Sequence, residues 1–335
     1  MGTILITGAS GFIGSFAVAE ASKRGYTTYA GLRKSSNADY LKGISYQFFE
    51  TTDVGVEALT KQLLIIKQNH GNLDYIIHCA GVTKCNNVSD FDQVNVGLTK
   101  NLIEAIHRAN ISPKQFVFIS SLAACGSGNE QTYDPIHIED TPKPITLYGK
   151  SKLLAEEAIK KSGIPYIILR PTGVYGPKEK DYFIFIQTVK RFNLAPAMGF
   201  EPQRLTFVYV DDLVRLMFDT LESSHHNKTY LVTDGNVYTD KEYSDLVKKT
   251  LGKKYILNLR VPLFLVKFIS SFLPVVCGWL GYTPTLNKDK YKIMRCKNWI
   301  CDINPIEKDF NFVAKYDLER GLKESVNWYK SEGWL

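Results

Sequence analysis

Tyr148 and Lys152 stand four residues apart in Leu147-Tyr-Gly-Lys-Ser-Lys-Leu-Leu154, where the apolar spacing predicts a helix over 147–161. An i, i+4 pair shares one helical face. The two side chains together could do proton chemistry. A free phenol titrates near about 10 and is a weak acid–base group at neutral pH. An ammonium one turn away favours the phenolate and brings the group into range. A hydroxyl that could hold a substrate oxygen beside such a phenol stands at Ser120-Ser121, where the strand-like run Phe116–Ile119 ends. Asn95, in Val94-Asn-Val96, is polar on an otherwise apolar helical face. It either anchors a water in a proton relay or satisfies buried backbone.

The second group of residues would bind phosphate. Thr7-Gly-Ala-Ser-Gly-Phe-Ile-Gly14 follows the apolar run Ile4–Ile6 and opens a helical period through Ile13, Phe16, Ala17 and Ala21. Gly8 suits a tight turn, Gly11 lets backbone approach a pyrophosphate, and Gly14 lets helix pack on strand. The helix N-terminus then offers free amides and a positive dipole end. Gly8, Ser10, Gly11, Phe12, Ile13 and Gly14 are therefore expected to cradle a dinucleotide, whose nicotinamide cation would further favour the Tyr148 phenolate. The second strand, Thr27–Leu32, ends with Leu32 where an NAD site usually has an acid for the ribose 2′-hydroxyl. Arg33 and Lys34 follow and suit a 2′-phosphate. NADP(H) is the expected cofactor, with NAD(H) as the alternative.

The elements that must position these groups alternate. Strands are expected at Ile44/Tyr46/Phe48, Leu73–Ala80, Phe116–Ile119 and Tyr166–Leu169. Helices are expected through Val56–Ile66, Phe91–Ile106 and 147–161. Such alternation implies an α/β fold: a Rossmann-type doubly wound parallel sheet with helices on both faces. After Pro171 the pattern loosens. The expected organisation is a dinucleotide-binding domain over 1–175, with a later strand in 207–232 returning to it. A smaller, discontinuous substrate domain is expected over 176–206 and 233–335, ending in an amphipathic helix near Leu318–Tyr329.

Composition narrows the class. The 335 residues are 44% hydrophobic and 22% charged, which excludes a disordered or fibrous chain. A net charge of +7 over this length is far from a nucleic-acid-binding signature. The six cysteines, Cys79, Cys85, Cys125, Cys277, Cys296 and Cys301, form no CxxC pair and no zinc spacing. No metal is expected. Cys79 and Cys125 lie in or beside apolar runs, where thiols pack as small hydrophobes. Met1-Gly-Thr3 runs into a strand without a basic leader, and Ile6 spoils a myristoylation motif. A reducing, cytoplasmic setting is the expectation, with the Asn-x-Ser/Thr triplets at Asn87, Asn110 and Asn227 as chance matches.

Together these residues resemble the extended branch of the short-chain dehydrogenase/reductase superfamily. The resemblance covers nearly the whole chain. It rests on Thr7–Gly14, His78-Cys-Ala-Gly81, Val94-Asn-Val96, Ile119-Ser-Ser-Leu-Ala-Ala-Cys-Gly126, Tyr148–Lys152, Arg170-Pro-Thr-Gly-Val-Tyr-Gly-Pro177 and Phe207-Val-Tyr-Val-Asp-Asp212. It implies that Ser121, five residues before Gly126, is the catalytic hydroxyl beside Tyr148, Lys152 and Asn95. It also implies that Asp53, Ala80, Gly81, Tyr148 and Lys152 meet the cofactor, and that Pro171 and Val174 meet its nicotinamide carboxamide. Relatives are often dimers through the YxxxK helix and the helix before it. Gly25–Arg33, Arg170–Gly173 and Gly321–Lys330 look like dihydroflavonol reductases and 3β-hydroxysteroid dehydrogenases. Nucleotide-sugar epimerases usually carry an acid at position 32 and an Asn at position 173, and this chain has Leu32 and Gly173. Cys125 replaces a Tyr common on the substrate side.

The stretch 255–282 is strongly apolar but holds Lys267, Pro262 and Pro274. Its longest run without a charge, Phe268–Tyr282, is shorter than the ~20 residues of a spanning helix. It is expected either to form a helical pair over the substrate cleft or to make a peripheral membrane contact, helped by the Lys-rich segment 288–297. Three functions follow. The first is an NADPH-dependent interconversion of ketone and secondary alcohol on an amphiphilic substrate, such as a long-chain 3-keto or sterol-like compound. The second is a nucleotide-sugar epimerase or dehydratase with tightly held NAD. The third is a non-catalytic dinucleotide sensor, disfavoured by the intact Ser121, Tyr148 and Lys152.

Overall fold

The computed structural model describes the backbone of residues 2–83, 91–279 and 286–335, and the side chains of all of these except 274–279. Cys85, the Asn87 triplet, Tyr282 and the side chains of Pro274 and Cys277 lie outside the described residues. The strands are β1 Thr3–Thr7, β2 Thr27–Leu32, β3 Gln47–Glu50, β4 Tyr75–His78, β5 Gln115–Ile119, β6 Tyr166–Pro171, β7 Gly173–Tyr175, β8 Leu194–Met198, β9 Arg204–Leu205, β10 Phe207–Tyr209, β11 Lys228–Val232, β12 Tyr238–Thr239 and β13 Leu257–Val261. The helices are α1 Phe12–Lys23, α2 Val56–His70, α3 Leu98–Arg108, α4 Leu147–Lys160, α5 Asp181–Phe192, α6 Val210–Leu221, α7 Asp240–Thr250, α8 Leu263–Trp279, α9 Lys288–Met294, α10 Asn304–Phe310 and α11 Leu318–Ser331. Among the described residues no helix is long and apolar enough to cross a membrane.

Seven strands form one parallel sheet in the order β11-β6-β5-β4-β1-β2-β3, with helices on both sides, as a doubly wound Rossmann-type fold requires. β1 lies between β2 and β4, with Thr7 in register with Gly31 on one side and His78 on the other. The central strands β1, β4, β5 and β6 are buried along almost their whole length because both faces are covered. On one face Leu5, Ile76, Phe116, Phe118 and Ile168 pack on Leu59, Leu63, Leu102, Ile106, Ala155 and Ile159.

Two details depart from the sequence pattern. The alternation of Ile44, Tyr46 and Phe48 places the third strand on those residues. β3 instead spans Gln47–Glu50, with Phe49 buried and Phe48 exposed. It is an edge strand entered through a turn in which Ile44 N–H donates to the Leu41 carbonyl, and this turn shifts its phase by one residue. The helix expected from Phe91 begins as a π-type turn, Phe91–Gly97, before α3. π-turns recur at functional sites, and this one carries Asn95.

The chain forms two compact units. The first comprises Met1–Ala124, Lys150–Arg170 and Val214–Tyr230. The second comprises Cys125–Gly149, Pro171–Leu213 and Leu231–Leu335. The second has its own aromatic core of Tyr175, Phe207, Tyr209, Tyr243 and Tyr329 with Val247, Leu318, Leu322 and Val326. Phe207 stacks on Tyr243 at 5.4 Å. Among the described residues, its apolar stretch 255–282 holds β13 and then α8.

Within the first unit a buried ion pair ties α4 to the sheet. Arg170 Nε and Nη2 donate to Glu156 Oε1 and Oε2 at 2.9 and 2.7 Å, and Ser120 Oγ donates to the same Oε1 at 2.5 Å. Glu156 and Arg170 are both buried. Losing one partner strands the other's charge, so Glu156→Ala should lower unfolding free energy by about 3–5 kcal/mol. A urea denaturation series compared with wild type checks this.

Candidate functional site

The glycine loop is held by close backbone contact. Gly8 has φ +66°, and a Cβ there would lie 2.7 Å from Ala80 N. A Cβ at Gly14 would overlap the Gly8 carbonyl. Gly11 N–H donates to that carbonyl at 3.0 Å and leads into α1. α1 starts with no side-chain cap and no acid in its first turn. Its first-turn amides are therefore available to an anion. A loop with no room for a Cβ at Gly8 or Gly14, ending in uncapped amides, fits a pyrophosphate. Ser10, Phe12 and Ile13 lie in this loop and first turn.

The end of β2 lies beside the loop, with Ala9 N–H donating to the Gly31 carbonyl at 3.3 Å. Leu32 is buried and Arg33 exposed. Among the described residues the Arg33 guanidinium makes no ion pair. Lys34 is turned to Glu50, at 3.2 Å. Asp53 Oδ1 accepts from Gly55 N–H at 2.8 Å in the turn before α2.

Lys152 is the buried centre of the first unit's other cluster. Its Nζ donates to the Ile119 carbonyl at 2.8 Å and lies 4.7 Å over the Phe118 ring. Gly81 is closely surrounded: a Cβ there would lie 3.0 Å from Asn95 Oδ1 and 3.1 Å from Lys152 Nζ. Burial lowers Lys152 to about 8, opposed by the Cys79 and Glu156 side chains. The ammonium therefore survives at neutral pH. Ser121, partly exposed, accepts from Ala123 N–H at 3.2 Å, whereas Ser120 is buried and bonded to Glu156. Of the two serines, Ser121 has the more accessible side chain.

Asn95 spends its amide on structure. Oδ1 accepts from Val82 N–H at 2.8 Å, and Nδ2 donates to the Val82 carbonyl at 3.1 Å and to Ser151 Oγ at 2.9 Å. It clips the 81–82 loop to α4. Tyr148 lies on α4 one turn before Lys152. The Leu147 N–H at the start of that helix donates to Asp289 Oδ2 at 2.7 Å. Pro171 ends β6, and Val174 on β7 registers with Val208 on β10.

Sequence reasoning missed a buried hydrogen-bond chain under the loop. Thr99 Oγ1 donates to the Asn95 carbonyl at 2.8 Å, so it must accept from His78 Nε2 at 2.9 Å. His78 Nδ1 then accepts from Thr7 Oγ1 at 2.6 Å, and Thr7 Oγ1 accepts from Ala80 N–H at 3.2 Å. Every group is satisfied only by the neutral Nε2–H tautomer. Burial, with Lys152 nearby, holds His78 down at about 3. Glu156 was also missed, although its position four residues after Lys152 put it on the same helical face.

The His78 value lies below the ordinary 6.5, so unfolding takes up a proton between about pH 6.5 and 3. Its contribution is complete above that window and is lost as pH falls through it. Urea midpoints measured across the window should fall with acid in wild type and fall less steeply in His78→Gln. The wild-type His78 ring resonances should not titrate between pH 8 and 5.

Comparison with known proteins adds context. The model of the NAD-dependent epimerase/dehydratase family matches residues 4–233. A ceramide reductase of Caulobacter vibrioides is 23% identical over 340 residues, covering 100% of this chain and 96% of that protein. A UDP-glucose 4-epimerase of Vibrio cholerae is 29% identical over 247 residues, covering 70% and 71%. Among solved structures, a UDP-glucose 4-epimerase of Thermotoga maritima, with UDP-glucose, superposes with a TM-score of 0.74 at 22% identity, covering 98% of this chain and 99% of that one.

Proposed function

This chain belongs to the NAD-dependent epimerase/dehydratase family, as an enzyme of the extended short-chain dehydrogenase/reductase type, and we propose that it is an NADPH-dependent reductase of a ketone on a lipid-like amphiphile. The observation that carries the cofactor choice is the end of β2. There a buried Leu32 leaves no acid for a ribose hydroxyl, and the exposed Arg33, which makes no ion pair among the described residues, follows the Gly31 carbonyl that holds the glycine loop. Gly8, Ser10, Gly11, Phe12, Ile13 and Gly14 would hold the pyrophosphate region, with Asp53, Ala80, Gly81, Pro171 and Val174 completing the cofactor's surroundings. The dinucleotide, when bound, supplies hydride.

The chain's own residues handle the proton. Lys152 keeps a positive charge one turn from Tyr148, which favours the phenolate and eases release of the Tyr148 hydroxyl proton to a ketone oxygen. Ser121 holds that oxygen by its hydroxyl. Asn95 and Ser151 act as positioning residues that fix α4 against the 81–82 loop.

Substrate class rests on a second observation. A Cβ at Gly173 would overlap the Tyr182 hydroxyl, so the space of a polar side chain at position 173 is filled from α5. That argues against the sugar-nucleotide contact an Asn would make there, and the relative named ceramide reductase supports a long-chain ketone instead. The same reading carries a homodimer through α4 and the helix before it, and a peripheral membrane contact through 255–282.

Titration of the nucleotide-free protein should give clear NADPH preference with free exchange. Arg33→Ala should cost at least about tenfold in NADPH affinity and little in NADH affinity. Tightly held, stoichiometric NAD released only on denaturation would instead establish the epimerase reading. With long-chain 3-keto substrates, Tyr148→Phe should lower kcat by about 10²–10⁴-fold. Wild-type reduction should decline as pH rises through about 8, where Lys152 loses its proton. Steady-state NADPH oxidation measures both.

A further inference from the structure

The second unit carries an apolar face turned to solvent. Among the described residues β8 and β13 pair only with each other, in parallel. Leu257, Leu259 and Val261 register with Leu194, Pro196 and Met198, so these six share one side of the ribbon. On the other side Ala195 is buried and Arg260 pairs with Asp240 at 2.7 Å. The ribbon thus points its apolar side outward, with Leu257 63% exposed. The face continues into α8. Gly199 N–H donates to the Val261 carbonyl and Gly199 packs beneath Leu263, which brings Phe200 beside the start of α8. Val266 and Ser270 anchor α8 inward, while Phe264, Phe268 and Phe272 are 76%, 59% and 55% exposed one turn apart. Isolated exposed apolar residues are ordinary, but a contiguous sheet-and-helix face marks a docking surface.

Charge identifies the occupant. Nine of the chain's 41 Lys and Arg, and one of its 34 Asp and Glu, fall between residues 253 and 297. That segment therefore carries +8 and the rest of the chain −1. Its one acid, Asp289, is engaged at the start of α4. Arg260, Lys290, Lys292 and Lys297 pair with carboxylates, while the exposed Lys254, Lys267, Lys288 and Arg295 make no ion pair among the described residues. A second copy docked here through a two-fold axis would set +8 against +8. An anionic bilayer surface satisfies both features at once: the phenylalanines enter the headgroup boundary and the lysines reach phosphate.

We propose that the outer face of β8/β13 and the Phe264/Phe268/Phe272 stripe of α8 dock the protein on anionic lipid bilayers. This deepens the expected contact through 255–282 by naming its elements and its lipid class. It does not depend on the reductase chemistry. The test is sedimentation of the full-length protein, without cofactor or substrate, with vesicles of phosphatidylcholine alone or with about a quarter phosphatidylglycerol. Wild type should sediment with the mixed vesicles at least about tenfold better, and high salt should weaken that binding. Phe264→Asp/Phe268→Asp should lose binding by about tenfold or more while keeping its melting temperature and NADPH affinity. Lys254→Glu/Lys267→Glu should reduce the preference for the anionic mixture. Absence of vesicle binding by wild type, or unchanged binding by the phenylalanine pair, overturns the proposal. So does a wild-type dimer that the phenylalanine variant converts to monomer, which would assign the face to a second copy. Vesicle binding by a protein that reduces no ketone would leave this surface standing and overturn only the reductase.

Discussion

A lysine ammonium buried in protein must be compensated where it sits, and the first unit is organised around that requirement at Lys152. Its proton is held by the Ile119 carbonyl at the end of β5, its charge lies over the Phe118 ring, and burial draws it down to about 8 without neutralising it at pH 7. The same position crowds Gly81 and sets Asn95 against the loop it clips. A charge placed this way costs stability wherever the lysine is protonated. It is explicable as the local field that a phenol one turn earlier needs in order to exchange a proton.

Around that charge, two buried networks hold backbone rather than substrate. The Glu156–Arg170–Ser120 cluster locks α4 to the ends of β5 and β6, leaving Ser121 as the more accessible of two adjacent hydroxyls. The Thr7–His78–Thr99 chain joins β1 and β4 to the π-turn under Asn95. Both are fully satisfied, so their polarity rigidifies instead of penalising. The glycine loop completes the arrangement by removing side chains where backbone must approach backbone, so that the uncapped start of α1 is presented intact.

The second unit follows a different logic. Its aromatic core is built from tyrosines and phenylalanines in edge and stacked contact, and burial pushes the Tyr175, Tyr182 and Tyr243 phenols well above their ordinary range. The Tyr175 hydroxyl donates to the Asp317 carbonyl at 2.9 Å, while the Tyr182 and Tyr243 rings serve packing. Tyr182 at Gly173 shapes the surface by filling space, while the β8/β13 ribbon leaves apolar area uncovered.

The sequence by itself determined what depends on near neighbours along the chain. The strand–glycine–helix opening, the Tyr148/Lys152 turn and the alternation of strand and helix all follow from steric or periodic rules spanning a few residues, and the parallel sheet follows from that alternation. Only the tertiary structure decided what depends on distant partners. It separated Ser120 from Ser121 through a carboxylate 36 residues away. It turned Asn95 into a clip through Val82 and Ser151, and it made His78 a neutral relay. It also set the phase of β3, where the edge turn overrode the alternation of Ile44, Tyr46 and Phe48. The apolar tail illustrates the same division. Its hydrophobicity was plain in the composition, but which side of the ribbon faced water depended on Ala195 and Arg260 finding their partners inside.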